Sequence, residues 1–584
     1  MSACAPVNMA QRLIVFSTVI EKSHCVGEII MKSIVFKLIT VTVVCAAFAV
    51  SAQIPTVRVT TQNNQEPTTT TTMTSTCPNG QPPNGMFCTG GGFPTMTQTV
   101  HKNYVAMTRF EMTVPGNPSH NVIRELQTGG QPDSIRVRGN STATQNKRPY
   151  RIKFDNRQSL FGNEAARSWV FIANFYDYTL MLNAIAFELG RRLNLEFTPS
   201  YQFVDVHING SYKGIYLLTE QMQVNRGRVD IDRHNGWLVE FDYHAAEGDQ
   251  IIFDTDGGNI SMPCRIRDPE VDSDFTVNNP TLRFVVREVN ALFNAMAANG
   301  FPENGYRDLI DLESWAKYVL IQQLMDNFDF NNKAGMGMYG QPGSNYAYKD
   351  FGKRIHAGPL WDFDLSAGVV DPGMDFANWP KHYVTHQEAL RPRHPFYQRL
   401  WEDPVFLAKF KKLWDRHQAD FNAMPRVMDS IANVLSNRVQ ANFAAYSGGP
   451  PEFAPRPTNE QTYKVHVDSL KNWWGRRTQF FGQQLNAMNI DTTRDINQNT
   501  ASLLMGEARR TANGKNITAV KNGFNLNSAN GTVVKIFSLD GREVRRIKLT
   551  AGNHSVRLSG LPKGMYMAKI VIDGNKQVLK VPVK

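Results

Sequence analysis

Two acidic stretches carry the side chains best placed for chemistry. Gly358-Pro-Leu-Trp-Asp-Phe-Asp-Leu-Ser-Ala-Gly368 sets Asp362 and Asp364 two residues apart inside an apolar, bulky run. On a strand that spacing places both carboxylates on one face, with Trp361, Phe363 and Leu365 packing behind them. A carboxylate pair beside a core is costly unless a cation or hydrogen-bond donors neutralise it, so the stretch reads as a solvated strand end or as a cation site. Asp326-Asn-Phe-Asp-Phe-Asn-Asn332 is the second polar knot and follows an apolar helical stripe.

Basic residues precede both. Pro149-Tyr-Arg-Ile-Lys-Phe154 alternates, so that Tyr150, Ile152 and Phe154 share one face and Arg151 and Lys153 the other. Ser134-Ile-Arg-Val-Arg138 alternates in the same way before a Gly-Asn turn. Thr179–Leu193 has apolar residues at helical spacing, with Glu188 inside it and Arg191 and Arg192 near its end, where cations suit a helix C-terminus. Basic strands, a helix acid and two acidic clusters are the parts a phosphoryl-transfer site needs: cations at the phosphates, acids for Mg²⁺, and a carboxylate near the acceptor hydroxyl.

These stretches sit in a chain of 584 residues with a formal net charge of +11. The length allows more than one domain, and the 42% hydrophobic and 20% charged content is that of a globular protein. Lys and Arg are scattered rather than gathered in a block, which gives a basic surface and argues against nucleic acid as a partner. Residues 1–52 read as an upstream segment and a signal peptide. From Met31 a short basic start leads into an apolar run and small residues ending at Ala52, so Met31 is the expected start. The apolar run is marginal for a membrane span and no second one follows, so no stable transmembrane segment is expected in the mature chain.

Residues 53–99 read as a Thr/Pro/Gly-rich linker, in which Cys77 and Cys88 flank a Pro/Gly loop and are expected to pair after export. Cys264 is left over and reads as a small buried apolar side chain. Folding is expected to start near residue 100. Phe203–Ile208 and Gly214–Glu220 flank Asn209-Gly210, a hairpin signal. Leu312–Met325 and Asp468–Met488 read as helices, and residues 491–514 as a second linker. Residues 515–584 carry short strands with turns and read as a small β-sandwich.

The residues also carry a resemblance. Arg138-Gly-Asn-Ser141, Lys147-Arg-Pro-Tyr-Arg-Ile-Lys-Phe154, the run Asn209-Gly-Ser-Tyr-Lys-Gly to Glu220, Asn327-Phe-Asp329 and Gly358-Pro-Leu-Trp-Asp-Phe-Asp364 resemble, in order, the motifs of the spore coat protein H (CotH) kinases. The resemblance covers about residues 100–490 and implies an α+β fold, an atypical protein-kinase-like two-lobe domain, ahead of the sandwich. It also implies ATP and Mg²⁺ (or Mn²⁺) as cofactors, and transfer of the γ-phosphate to Ser or Thr of an exported protein.

Carried over, Asp362 corresponds to the metal-binding acid of the kinase Asp-Phe-Gly site, with Asp364 in place of the glycine, either sharing the metal or fixing the turn. Asp329 corresponds to the acid near the acceptor hydroxyl, with Asp326 as its rival, and Asn331 or Asn332 to the metal-binding asparagine. Arg138, Lys147 and Lys153 are the candidates for phosphate contacts, Glu188 for the helix acid, and Glu220 for a further nucleotide-site acid. The helix departs from the family pattern in having Leu182 before Asn183 where an arginine is usual. The tail, with Lys535-Ile-Phe-Ser538, Gly541 and Leu561 to Tyr566, resembles type IX secretion sorting domains. That implies the type IX machinery as a partner, and a secreted or outer-surface location in a Gram-negative bacterium. The alternative is a surface adhesin or pseudokinase that uses the same fold for binding. A glycan-processing enzyme, with two acids flanking a sugar, would leave the basic strands unexplained.

Overall fold

The computed structural model describes residues 53–76, 95–125, 131–233, 235–242, 252–269, 280–331, 342–369, 390–446 and 456–496, and in the tail 517–520, 523–528, 532–538, 543–562, 564–572 and 575–583. The signal segment, Cys77 and Cys88, Asn332 and most of the second expected linker lie outside the described residues. Everything below concerns the unit Pro55–Lys584.

Alternating side chains build the main sheet. Its strands are β1 (Thr56–Thr61), β4 (Val105–Thr113), β5 (Val122–Glu125), β6 (Ser134–Val137), β7 (Tyr150–Gln158), β8 (Ala166–Ile172), β9 (Tyr201–Ile208) and β10 (Ser211–Glu220), in the order β1-β9-β10-β8-β7-β6-β4-β5. β2 (Thr70–Thr76) and β3 (Thr95–His101) pair separately with each other. Strand β1 pairs parallel with β9 and antiparallel with β4, so hydrogen bonding runs round a ring of seven strands with β5 outside it. Val57, Val59, Phe110, Met112, Ile135, Val137, Ile152, Phe154 and Val206 are buried on the inward face, and Phe110 meets Phe154 edge-on at 5.1 Å.

The described parts of segment 53–99, residues 53–76 and 95–99, therefore differ from the expected linker. Val57 and Val59 have the period of two that a half-buried strand needs, and the Thr-rich run is β-prone. The start expected near residue 100 omitted the strand that closes the ring.

The Asn209-Gly210 hairpin forms as expected. Asn209 and Gly210 have φ of 51° and 78°, the left-handed pair that lets two residues join strands of natural twist. Helix α1 (Leu182–Arg192) packs outside the ring, and eight of its residues are buried.

A second sheet combines β11 (Trp237–Phe241), β12 (Ile252–Asp254), β13 (Pro263–Asp268), β14 (Asn345–Lys349) and β15 (Ile355–Ala357) in the order β12-β13-β11-β14-β15. Cys264 on β13 is buried, as expected for a small apolar side chain, and burial pushes its thiol well up. The helices are α2 (Pro280–Ala297), α3 (Leu312–Leu324), the single turn α4 (Phe328–Asn331), α5 (Pro395–Leu400), α6 (Pro404–Arg416), α7 (Gln418–Leu435), α8 (Val439–Ala444) and α9 (Glu460–Ala487).

In the tail, β16 (Ile517–Val520), β17 (Gly523–Ser528) and β20 (Gly552–Arg557) form one sheet, and β18 (Thr532–Ser538), β19 (Glu543–Leu549), β21 (Gly564–Ile572) and β22 (Asn575–Val583) the other. Phe524, Leu526 and Val556 from the first share one core with Val534, Ile536, Ala568 and Ile570 from the second, which makes the expected sandwich. Mixed helices and sheets make the described residues α+β, and no described helix is long and apolar enough to cross a membrane.

Candidate functional site

Residues 358–367 leave β15 as a loop, which corrects the expectation of a strand. Gly358, Asp362 and Ala367 have φ of 107°, 61° and 56°, values that interrupt an extended chain. Leu360, Trp361 and Phe363 are buried and anchor the loop, with Trp361 stacked on Phe187 of α1 at 6.4 Å. The turn at Asp362, rather than strand alternation, brings the carboxylates of Asp362 and Asp364 within hydrogen-bonding reach of each other.

Two asparagines hold this loop. The Phe363 N–H donates to Asn183 Oδ1 at 3.0 Å, and Asn183 Nδ2 donates to Asn174 Oδ1 at 3.0 Å. Asn327 Nδ2 donates to the Asp362 carbonyl at 3.1 Å and to Gln322 Oε1 at 2.9 Å. The Phe328 N–H donates to the Leu365 carbonyl at 3.3 Å and the Ala367 N–H to the Met325 carbonyl at 2.7 Å. These bonds stitch the two acidic stretches together and seat Asp329 beside the loop.

The carboxylates meet without compensation. Burial, and next the negative charge of Asp362, push both Asp329 and Asp364 well above the usual carboxylate range; Asp242 adds to the effect on Asp329, and Asp329 and Asp177 to that on Asp364. Asp329 Oδ1 is buried with no hydrogen-bond partner among the described residues. Asp362 accepts from Ser344 Oγ at 3.2 Å. No three His, Cys, Asp or Glu among the described residues converge tightly enough to hold a metal by themselves. An orphaned buried oxygen among oxygen-only donors fits a hard cation that takes its remaining ligands from phosphate and water, as Mg²⁺ does.

Cations face these acids. One outward row crosses four strands as Thr219, Val170, Arg151 and Arg136, so it ends in two neighbouring guanidinium groups. Arg138, just past β6, lies over the Trp361 ring at 5.1 Å. Burial lowers the pKa of Arg138, and the charge of Asp362 is what chiefly opposes that. Arg151 is lowered by burial and by the charges of Arg136, Arg138 and Arg267. Buried Glu240 on β11 bonds Arg267 closely, lies 3.5 Å from Arg265 and accepts from the Tyr346 hydroxyl. Burial pushes Glu240 up, but the two arginines outweigh it and hold it below the usual carboxylate range. The cluster therefore has more guanidinium than carboxylate, and through Arg138 it interacts with Asp362.

Of the residues expected in the site, Arg138, Asp329, Asp362 and Asp364 are brought together. Asp326 instead faces Arg477 of α9 at 3.8 Å. Asn331 closes α4, with its side chain outside the described residues. Glu188 does not pair with a strand lysine: it accepts from Arg191 at 2.9 Å and from the Tyr201 hydroxyl at 3.0 Å. Lys153 is exposed on the arginine-bearing face of β7. Glu220 accepts from the Ser200 N–H at 2.6 Å and the Ser200 hydroxyl at 2.8 Å, which ties a strand end to a loop.

Lys147 is buried, away from any contact with the acids. Its Nζ donates to the Ile215 carbonyl at 2.7 Å and to Asn442 Oδ1 at 3.0 Å, between the rings of Tyr216 and Tyr446. Burial, then Arg456, lowers its pKa to about 7. A neutral amine has two N–H donors, and two acceptors are present. With the folded pKa near 7 and the unfolded one near 10.4, the unfolded chain binds more protons across that window, so stability rises with pH there. Lys147→Met is expected to remove this rise, at most about 1.4 kcal/mol per pH unit, read as urea midpoints between pH 7 and 10.

Sequence reasoning missed Asp177, which orders the turn before α1 by accepting from the N–H groups of Thr179 (2.8 Å) and of Leu182 (2.8 Å), the first residue of that helix. An Asp with a Thr two residues on, just before a helical pattern, was the available signal. Arg267 was also missed, although Arg265-Ile-Arg267 repeats the alternation of Ser134–Arg138.

Residues 135–481, well over half of the chain, match the family described as CotH kinase protein. Residues 519–584 match the secretion system C-terminal sorting domain, which marks the chain for export to the cell surface or the medium and for handling by type IX machinery. A search of curated proteins returned no match. The chain thus belongs to the CotH kinase protein family and ends in a secretion sorting domain.

Proposed function

We propose that this protein is an exported atypical kinase that transfers the γ-phosphate of ATP to Ser or Thr of another exported protein. On this reading the strand ring with α1 and the helical region act as two lobes about one nucleotide site. One observation carries the reading: the guanidinium groups of Arg136, Arg138, Arg151 and Arg267 gather on the side of Asp362, and beside that acid Asp329 Oδ1 is buried with no hydrogen-bond partner among the described residues. A buried acid without a donor and a gathered set of guanidinium groups are both satisfied by a polyphosphate with a divalent cation between them.

In this scheme Asp362 and Asp364 would hold Mg²⁺ or Mn²⁺, which would supply positive charge to offset that of the phosphates. Arg138 lies over Trp361 and orients the phosphates from the sheet side, with Arg136 and Arg151 behind it. Asp329, raised by its surroundings, accepts the proton of the incoming hydroxyl at its unpaired Oδ1. Asn183 and Asn327 grip the N–H and the carbonyl of the peptide that joins Asp362 to Phe363, so that the Asp362 carboxylate is fixed before substrate arrives. A binding module has no need to gather three carboxylates beside a core.

Thermal shift of the mature full-length protein tests the nucleotide site. ATP with Mg²⁺ or Mn²⁺ is expected to raise the melting temperature, and ATP with EDTA to do so far less. Arg138→Ala is expected to weaken the nucleotide by about 10- to 100-fold, the loss of one charge-assisted contact. No shift with any nucleotide and metal would remove the basis of the proposal.

A further inference from the structure

We propose that a cleft between α7 and α9 is a binding site for neutral carbohydrate, separate from the acidic site. The cleft holds about 550 Å³. Five carboxamides line it, Gln418, Asn422, Gln479, Gln483 and Asn486, with Trp414 beneath. None of its ten lining residues ionises, although a fifth of the chain is charged, and this decides the class of ligand. An anion needs Arg or Lys, and a cation needs carboxylates. A docked helix needs apolar anchors, and an added strand needs a free sheet edge. A row of carboxamides offers donors and acceptors side by side, which matches neighbouring sugar hydroxyls that each donate and accept.

The cleft exists because of two glycines. Gly475 and Gly482 are seven residues apart on one face of α9 and line the opening. Mid-helix glycine is unfavourable, and crowding does not demand it here. A Cβ at 475 would meet nothing within 4 Å, and one at 482 would meet only Trp414 Cζ2 at 3.6 Å. Backbone geometry does not demand it either, since neither has positive φ. What the glycines leave open is the way down to the indole edge.

That edge carries an independent sign of a ligand. Trp414 is 4% exposed, and its Nε1–H is buried with no acceptor among the described residues. The indole N–H groups of Trp169, Trp237, Trp315 and Trp474 all donate to an acceptor. Cζ2, the Trp414 atom facing Gly482, is two bonds from Nε1, so the unpaired donor borders the glycine floor. A sugar hydroxyl reaching that floor would supply the missing acceptor.

The test is calorimetric titration of the mature full-length protein with maltotetraose, cellotetraose and mannotetraose, and with polygalacturonate as a charged control. At least one neutral oligosaccharide is expected to saturate. Gln483→Ala with Asn486→Ala should weaken it tenfold or more at unchanged melting temperature. Gly475→Leu should abolish it while raising the melting temperature, because it fills the cleft and favours the helix. The proposal is overturned if no neutral oligosaccharide saturates by millimolar concentration, if only polygalacturonate binds, or if binding survives both variants.

Discussion

Asp362→Asn is expected to reduce phosphate transfer by about 10³-fold or more while raising the melting temperature of the metal-free protein by roughly 2 °C. The two effects have one cause. Asp362 is the charge that, after burial, drives Asp329 and Asp364 upward, so neutralising it relieves repulsion that a bound cation would also relieve. Asn is the informative replacement because residue 362 has φ of 61°, and Asn tolerates that left-handed region better than Ala does. An inactive protein of unchanged or higher stability separates a lost ligand from a broken fold. The expected gain is read by calorimetry in EDTA, and adding Mg²⁺ should close the gap to wild type.

Asp329→Asn is expected to cut transfer by about 10²- to 10⁴-fold, the usual weight of general-base assistance, and to leave the affinity for nucleotide within about twofold of wild type. Its carboxylate lies on α4, tied to the loop through Asn327, whose Oδ1 accepts from the Asp329 N–H at 3.2 Å. Nucleotide titrations and initial rates distinguish the two variants. Asp362→Asn should lose metal-dependent nucleotide binding together with transfer, whereas Asp329→Asn should lose transfer alone. Equal loss of binding in both would make Asp329 a metal ligand rather than the acid near the hydroxyl.

Much of the fold is legible in local patterns. Alternation gives the strands of the ring, Asn209-Gly210 fixes its hairpin, and apolar spacing gives α1, α3 and α9. The acids of the site are legible too, because a carboxylate inside an apolar run demands a reason. Their geometry is not. The alternation that suggests a strand at 358–368 is overridden by positive φ at Gly358 and Asp362, and the carboxylates meet through a turn. Lys147 is illegible because lysine is among the residues least often buried, and only the fold supplies its acceptors on β10 and α8. Arg267 reaches the site from a second sheet, more than a hundred residues beyond Arg138, and no local pattern connects the two. Glu188 has the spacing of a helix acid, but its own helix supplies Arg191 one turn later, and that near partner satisfies it.

The central claim is that Asp362 anchors a metal–nucleotide site that transfers phosphate. The most direct measurement incubates the mature full-length protein, and its Asp362→Asn variant, with γ-labelled ATP and Mg²⁺ or Mn²⁺, and with the exported proteins of the same cells as acceptors. Label on Ser or Thr with wild type, and none with the variant, is the predicted result. No label with either protein, together with no nucleotide-induced thermal shift, would contradict it.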